Sequence, residues 1–263
     1  MSTQELSLAH IRSTGFRTIL IREYGRIIRI WAQTLVPSAV TSTLYFVIFG
    51  SLLGARVGDM GGYGYRAYLA PGLIMMAIIT NSYGNVVASF FGAKFGKHIE
   101  ELLVSPLPNW VIVAGYVAGG LMRGLMVGVV VTIVALIFTH LHVHHALVII
   151  EAAILTSAIF SLGGFINAVF AKNFDQVNWI PAFVLTPLTY FGGVFVSIEL
   201  LPAWAQKLSM VNPILHMVNA FRYGFLGTSD VSVIGAFALM VALAAGLFVW
   251  ALILLNRGTG IRD

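Results

Sequence analysis

Cysteine is absent from the 263-residue chain, which excludes disulfides, thiolate metal sites and thiol chemistry. Charge is the second scarcity: 10% of residues are Asp, Glu, Lys or Arg, against about a quarter in an ordinary soluble domain. In their place the chain is 59% hydrophobic, with a mean hydropathy of +0.91. A soluble fold of this length has too little interior to hide that much apolar surface, so its solvent is lipid. No cleavable leader is expected either. The first 30 residues hold five Arg and no apolar core followed by a small-residue cleavage site.

A spanning helix needs ~20 mostly apolar residues. Six stretches qualify, at about 32–54, 69–91, 110–138, 147–170, 177–198 and 231–255. What lies between them is too short for a soluble domain, so residues 1–263 are expected to form one all-α membrane domain. Cationic residues collect on the cytoplasmic side of a membrane protein. Arg12, Arg17, Arg22, Arg26 and Arg29 precede the first span, Lys94 and Lys97 follow the second, Lys172 the fourth, and Arg257 and Arg262 the last. These ten face four on the other side: Arg56, Arg66, Lys207 and Arg222. Both termini are therefore expected in the cytoplasm. The net charge of +5 then reports topology, not a nucleic-acid partner.

Residues 10–31 form an amphipathic pattern. At 100° per residue Arg12, Arg22, Arg26 and Arg29 share one face, and Phe16, Leu20, Tyr24, Ile27, Ile28 and Trp31 the opposite one, with Arg17 and Ile19 off pattern. Such a helix lies in the inner interface, either as a simple anchor or as a lever that also touches a cytoplasmic partner.

The stretch GKHIEELLVSPLP, residues 96–108, is a charged island between two apolar runs. Ile99, Leu102 and Leu103 fall on one helical face, with Lys97, Glu100 and Glu101 mostly off it. Pro106 ends the helix because it lacks an N–H and clashes with the preceding turn. A solvated loop and a helix docking into a groove on a soluble protein both fit. Gly92, Gly96 and Lys97 do not make a P-loop, because three residues separate the glycines where four are needed, and His98 follows the Lys in place of Ser or Thr. ATP hydrolysis, if it drives the work, belongs to another chain.

Other signals are less specific. Gly120, Gly124 and Gly128 repeat every four residues in the third span, with Gly115 and Gly119 as a second pair. Small residues at this spacing serve close helix packing or a moving interface. Arg123 lies ~20 Å along the same helix from Trp110, where an unpaired cation is costly. Glu151 is the nearest carboxylate by position, yet is offset by ~15 Å along the axis. Backbone carbonyls, water or a distant carboxylate are the alternatives. His140, His142, His144 and His145 fill a short turn; a polar interfacial turn suits them better than a metal site. Pro181, Pro187, Gly192 and Gly193 can kink the fifth span and free backbone carbonyls. Pro202 and Pro213 divide residues 199–227 into two short helices that dip back into the membrane from outside, an ordinary outer loop being the alternative.

Three stretches together resemble the ABC-2-type permeases, the membrane subunits of ATP-binding-cassette exporters: IEELLVSPL at 99–107, FVLTPLTYFGGVFVS at 183–197, and LPAWAQKLSMVNPILHMVNAFRYGFLG at 201–227. The resemblance implies six spans, an N-terminal interfacial helix and a re-entrant outer hairpin carrying Pro202, Asn212, Pro213 and Arg222. It implies a homodimer assembled with two copies of a separate ATPase, which holds ATP and Mg; no cofactor is expected on this chain. Residues 96–105 would be the coupling helix, with Lys97, Glu100, Glu101, Leu102, Leu103 and Pro106 at the contact and residues 10–31 beside it. Spans one and five, with Tyr45, Phe46, Phe49, Pro187, Tyr190, Phe191 and Phe195, would line the pathway and meet across the dimer. Their apolar, aromatic character favours an amphipathic or lipid-like cargo exported from the cytoplasm of a bacterium across its inner membrane. An ion-coupled secondary transporter is the competing class, but it calls for carboxylate or His relays within the spans, and Glu151 is the one clear candidate. The orientation is testable in this cysteine-free background. An Asp59→Cys variant should react with a membrane-impermeant maleimide from outside; reaction from the cytoplasmic side alone would reverse the topology.

Overall fold

The computed structural model describes residues 3–54 and 58–260, with the side chains of 3–9, 52, 53 and 103 set apart. Arg56, Arg262 and the Leu103 side chain therefore lie outside the described residues. Helix α1 runs Thr3–Arg29 and α2 Trp31–Tyr45, the latter passing directly into a wide π-helical stretch at Phe46–Leu53. Two-residue strands β1 (Asp59–Met60) and β2 (Tyr63–Gly64) pair antiparallel. Gly61 and Gly62 both take positive φ between them, the backbone that a two-residue hairpin turn demands. Next come α3 (Tyr65–Phe95), α4 (Ile99–Val104), α5 (Asn109–Phe138) and α6 (Ala146–Phe170). The chain then makes α7 (Phe174–Ile180), a π turn at Pro181–Leu185, and α8 (Thr186–Tyr190). It closes with α9 (Ala203–Val211), α10 (Pro213–Leu226) and α11 (Val233–Arg257).

The protein is an all-α membrane protein apart from that hairpin. Among the described residues five helical stretches are long and apolar enough to cross a bilayer: Trp31–Ser51, Tyr65–Phe95, Asn109–Phe138, Ala146–Phe170 and Val233–Arg257. The stretch expected at 177–198 behaves differently. Its helix ends at Tyr190 and is broken by the π turn, because Pro181 and Pro187 each withhold a backbone donor. Gly193, at φ 69°, turns the chain away. Residues 174–190 reach only ~25 Å, against a hydrocarbon core of ~30 Å. By contrast α3, with 31 residues, and α5, with 30, are ~45 Å long and outreach that core by about half its thickness.

Helix α3 is the most enclosed of the long helices and packs against α5, α6 and α10. The outward faces are apolar: Val129, Ile133 and Ile137 on α5, Ile150 and Ile154 on α6, and Val241, Val249 and Ile253 on α11 are all exposed. That surface suits acyl chains.

Inside, glycine sets the spacing. A Cβ at Gly120 would fall 2.2 Å from Ser161 Oγ on α6, and one at Gly124 1.9 Å from Ser82 Oγ on α3. One at Gly128 would fall 2.9 Å from Ile78 on α3. Gly115 and Gly119 receive Ile19 and Glu23 of α1 in the same way. The stripe is thus tight packing on two sides of one helix. Gly124→Ala should lower the thermal unfolding midpoint, at ~1–3 kcal/mol for overpacking. Gly84→Ala, where a new Cβ meets nothing within 4 Å, should not; equal effects would remove the packing explanation.

Candidate functional site

At the island, α3 ends at Gly96, and Lys97 adopts a left-handed φ of 59°, uncommon for a residue with a Cβ. The island helix is accordingly shorter than expected, Ile99–Val104 in place of 96–105, and Lys97 lies in the turn before it. Ile99 is buried and Leu102 half-buried, both on a core of Phe90, Phe91, Ile112, Tyr116 and Phe165. Leu102 thus helps to seat α4 on the bundle and keeps only part of its surface free. The exposed edge of α4 consists of Glu100, Glu101 and Val104, followed by Pro106. Val104 is 86% exposed. Ser105 Oγ donates to Leu102 O, and the backbone is extended at Ser105, the conformation that a following Pro imposes.

Two neighbours complete this face. Leu107 sits against Gly15 of α1, where an added Cβ would meet it at 2.1 Å. Phe95 and Phe174 are largely exposed with ring centroids 5.2 Å apart. Lys94 Nζ donates to Val169 O and Ala171 O at 2.6 and 2.8 Å, satisfying carbonyls at the end of α6. Sequence reasoning misses Phe95 and Phe174. The signal that could have found them is an aromatic directly beside charge in each of two loops, AKFGK and KNFD.

Helix α1 does not present the expected side to the bundle. Its most buried residues are Ile19, Glu23 and Ile27, while Tyr24 and Ile28, and Trp31 at the start of α2, are exposed. The seam between its basic and apolar faces packs inward. Glu23, at 1% exposure, accepts from Arg26 Nη2 at 2.7 Å and from Ser89 Oγ. Arg26 Nη2 also donates to Asn85 Oδ1 at 2.8 Å. Arg22 Nη2 donates to Tyr116 OH at 2.6 Å, its guanidinium lying 5.4 Å from that ring's centroid. A helix carrying these charges sits beside Gly119, one turn from Arg123 on α5, so the polar zone climbs almost to Arg123. Glu151 is exposed and not its partner, and Arg123 makes no hydrogen bond or ion pair among the described residues.

The aromatic candidates divide. Tyr45, Phe49, Tyr190 and Phe195 form one cluster, with Phe49–Phe195 at 4.9 Å, Tyr45–Phe195 at 5.7 Å and Tyr190–Phe195 stacked at 5.3 Å. Phe46 is fully buried and stacks on Phe138 of α5. Phe191 meets Trp204, and the Pro187 carbonyl accepts from Phe191 N.

At the opposite end, Pro202 and Pro213 begin α9 and α10. Asn212 joins them: its Oδ1 accepts from Ile214 N at 3.0 Å and its Nδ2 donates to Leu188 O at 2.6 Å. Helix α10 is a core element with a largely buried surface. Arg222, 1% exposed, donates to Gly193 O at 2.6 Å and lies 3.9 Å from the Tyr68 ring centroid. Burial pulls its pKa down from the ordinary guanidinium value, while Tyr68 and Asp230 push it back up. His144 and His145 pack on Tyr223, and their backbone N–H groups donate to Gly224 O. Among the described residues no three His, Cys, Asp or Glu gather as metal ligands would.

The sequence profile of the ABC-2 type transporter family matches residues 14–226, which takes in the second half of α1, the island and α10. The chain belongs to that family. It is 50% identical to the inner membrane transport permease YadH of Escherichia coli K12, over 97% of this chain and all of that protein. It is also 25% identical to nodulation protein J of Rhizobium leguminosarum bv. viciae, over 70% of this chain and 71% of that one. The Neorhizobium galegae protein of the same name is 24% identical, over 80% and 82%. The chain is thus a multi-pass membrane transport permease.

The buried seam gives a stability prediction for this permease. Glu23→Leu leaves Arg26 without its carboxylate and should cost ~3–5 kcal/mol, read as a lower thermal unfolding midpoint. Glu23→Leu with Arg26→Leu should lose less; equal losses would mean the charges are not coupled.

Proposed function

We propose that the permease exports an amphipathic or lipid-like cargo across the bacterial inner membrane by alternating access, driven by a separate ATPase. Two copies of the permease would stand on two copies of that ATPase, which holds ATP and Mg. The observation that carries this reading is the face of α4. Ile99 and Leu102 anchor the helix, leaving Glu100, Glu101 and Val104 exposed, while the exposed rings of Phe95 and Phe174 pack on Phe91 of the same core. An acidic edge next to exposed apolar side chains suits a groove on a soluble partner better than it suits water. Leu107 on Gly15 links this face to α1, so motion imposed on α4 reaches α1 directly.

In this reading residues 177–198 complete a sixth crossing, both termini are cytoplasmic, and residues 199–227 form the re-entrant outer hairpin. The whole chain acts as one membrane domain. The Tyr45, Phe49, Tyr190 and Phe195 cluster lines the pathway near the dimer contact. The name of the Escherichia coli relative supports the inner-membrane placement and the transport role.

Charge reversal tests the coupling without touching the core. Glu100→Lys with Glu101→Lys should leave membrane insertion and the thermal midpoint unchanged, because both side chains are exposed. It should strongly reduce ATPase co-purification and ATP-dependent transport. Retention of partner and transport would return the island to an ordinary loop. Leu102→Ala is the less clean probe, since Leu102 also packs on the bundle.

A further inference from the structure

A cavity of about 320 Å³ opens between α2, α3 and α5. Its lining includes Gln33, Thr34, Ser38 and Thr41 from α2, Asn81 from α3 and Arg123 from α5. Arg123 Nε is buried without a partner, and neither Nη makes a hydrogen bond among the described residues. The side chains of Gln33 and Thr41 likewise make none there. Ser38 accepts from Asn81 Nδ2 at 3.3 Å, leaving Asn81 Oδ1 as the amide's acceptor end. Arg, Gln and Thr thus turn unspent donors toward one space.

The surrounding charge points the same way. Arg26 repels Arg123, and Arg22 and Arg26 already share Glu23. Three cations and one carboxylate leave a local surplus of two positive charges. Buried donors and cations this close to lipid are costly when unmatched, and the partner that such a set favours is an anion. A planar guanidinium recognises phosphate or carboxylate through two parallel hydrogen bonds.

The cavity also has an apolar border. Val36, Val40 and Leu44 form an exposed ridge along α2, on the sector next to Gln33 and Thr41. We infer that this groove binds the anionic headgroup, phosphate or carboxylate, of an amphipathic molecule whose tail lies along that ridge, with Arg123 as the anion-binding residue. The inference rests on the amphipathic-cargo reading above and names the chemistry of the group recognised.

Titration of the purified full-length permease in neutral maltoside detergent tests it, with three probes: dioctanoyl phosphatidylglycerol, dioctanoylglycerol and inorganic phosphate. Phosphatidylglycerol should bind saturably, and at least about tenfold more tightly than the uncharged diacylglycerol, the scale of a charge-assisted hydrogen bond. Arg123→Gln should remove that preference, and Arg123→Lys should restore part of it. Should Arg123→Gln fail to fold, Gln33→Leu with Thr41→Leu changes two exposed positions and should weaken binding several-fold with the thermal midpoint held. Equal binding of phosphatidylglycerol and diacylglycerol, or unchanged binding by Arg123→Gln or by the double variant, would overturn the assignment. Inorganic phosphate binding as tightly as phosphatidylglycerol would overturn the amphiphile and mark a free-anion site. No ATPase is present in the titration. A failure here therefore leaves the coupling experiment standing, and a failure of coupling with lipid binding intact counts against the ATPase reading alone.

Discussion

Backbone-close contact along α5 governs where the other elements can lie. In lipid, helices gain little from hiding apolar surface and associate through packing and polar contacts. Five glycines of α5 supply that packing on two sides. Gly120, Gly124 and Gly128 admit α3 and α6, and Gly115 and Gly119 admit α1. Once α1 is seated, Glu23 arrives where Ser89 and Arg26 can reach it, and Gly15 arrives beneath Leu107. The island, the ion pairs and the cavity beside Arg123 all inherit their positions from that fit.

The polar groups follow a rule opposite to that of a soluble protein. Ser82 and Ser157 hydrogen-bond across the α3–α6 interface at 2.7 Å, and Asn85 and Arg222 are buried, while Val, Ile and Leu cover the outside. A polar side chain facing acyl chains has no partner, so it turns inward, where one exists. The same preference accounts for α1, whose mixed seam faces the bundle.

Much of the architecture is legible in the sequence because helix length and hydropathy are local properties. Five spans fall within a few residues of where the apolar runs place them. The remaining expected stretch, at 177–198, departs from its apolar run at 191, since hydropathy does not register that two prolines and a Gly-Gly pair end the helix early. The glycine stripe is legible as packing; which helix meets which glycine is not. Glu23 escapes notice because a lone acid among arginines looks solvated until a neighbouring helix covers it. Leu102 reads as an outward residue because a six-residue helix has no pattern long enough to orient it; Ile99 and the core beneath it decide that. Arg123 is anomalous from depth alone, but the cavity it lines is shaped by α2 and α3 as well and could not be read from one helix.

The two π-helical stretches, at Phe46–Leu53 and Pro181–Leu185, both adjoin the aromatic cluster. A π turn holds an extra residue within an α-helix and is common at functional positions. Tightening Pro181–Leu185 into α geometry would advance α8 by one residue, turning Tyr190 by ~100° about the axis with a ~1.5 Å slide. Its stack on Phe195 could not survive that rotation. The cluster therefore sits next to a register step, where a one-residue slip along the helix would become a large turn of one ring.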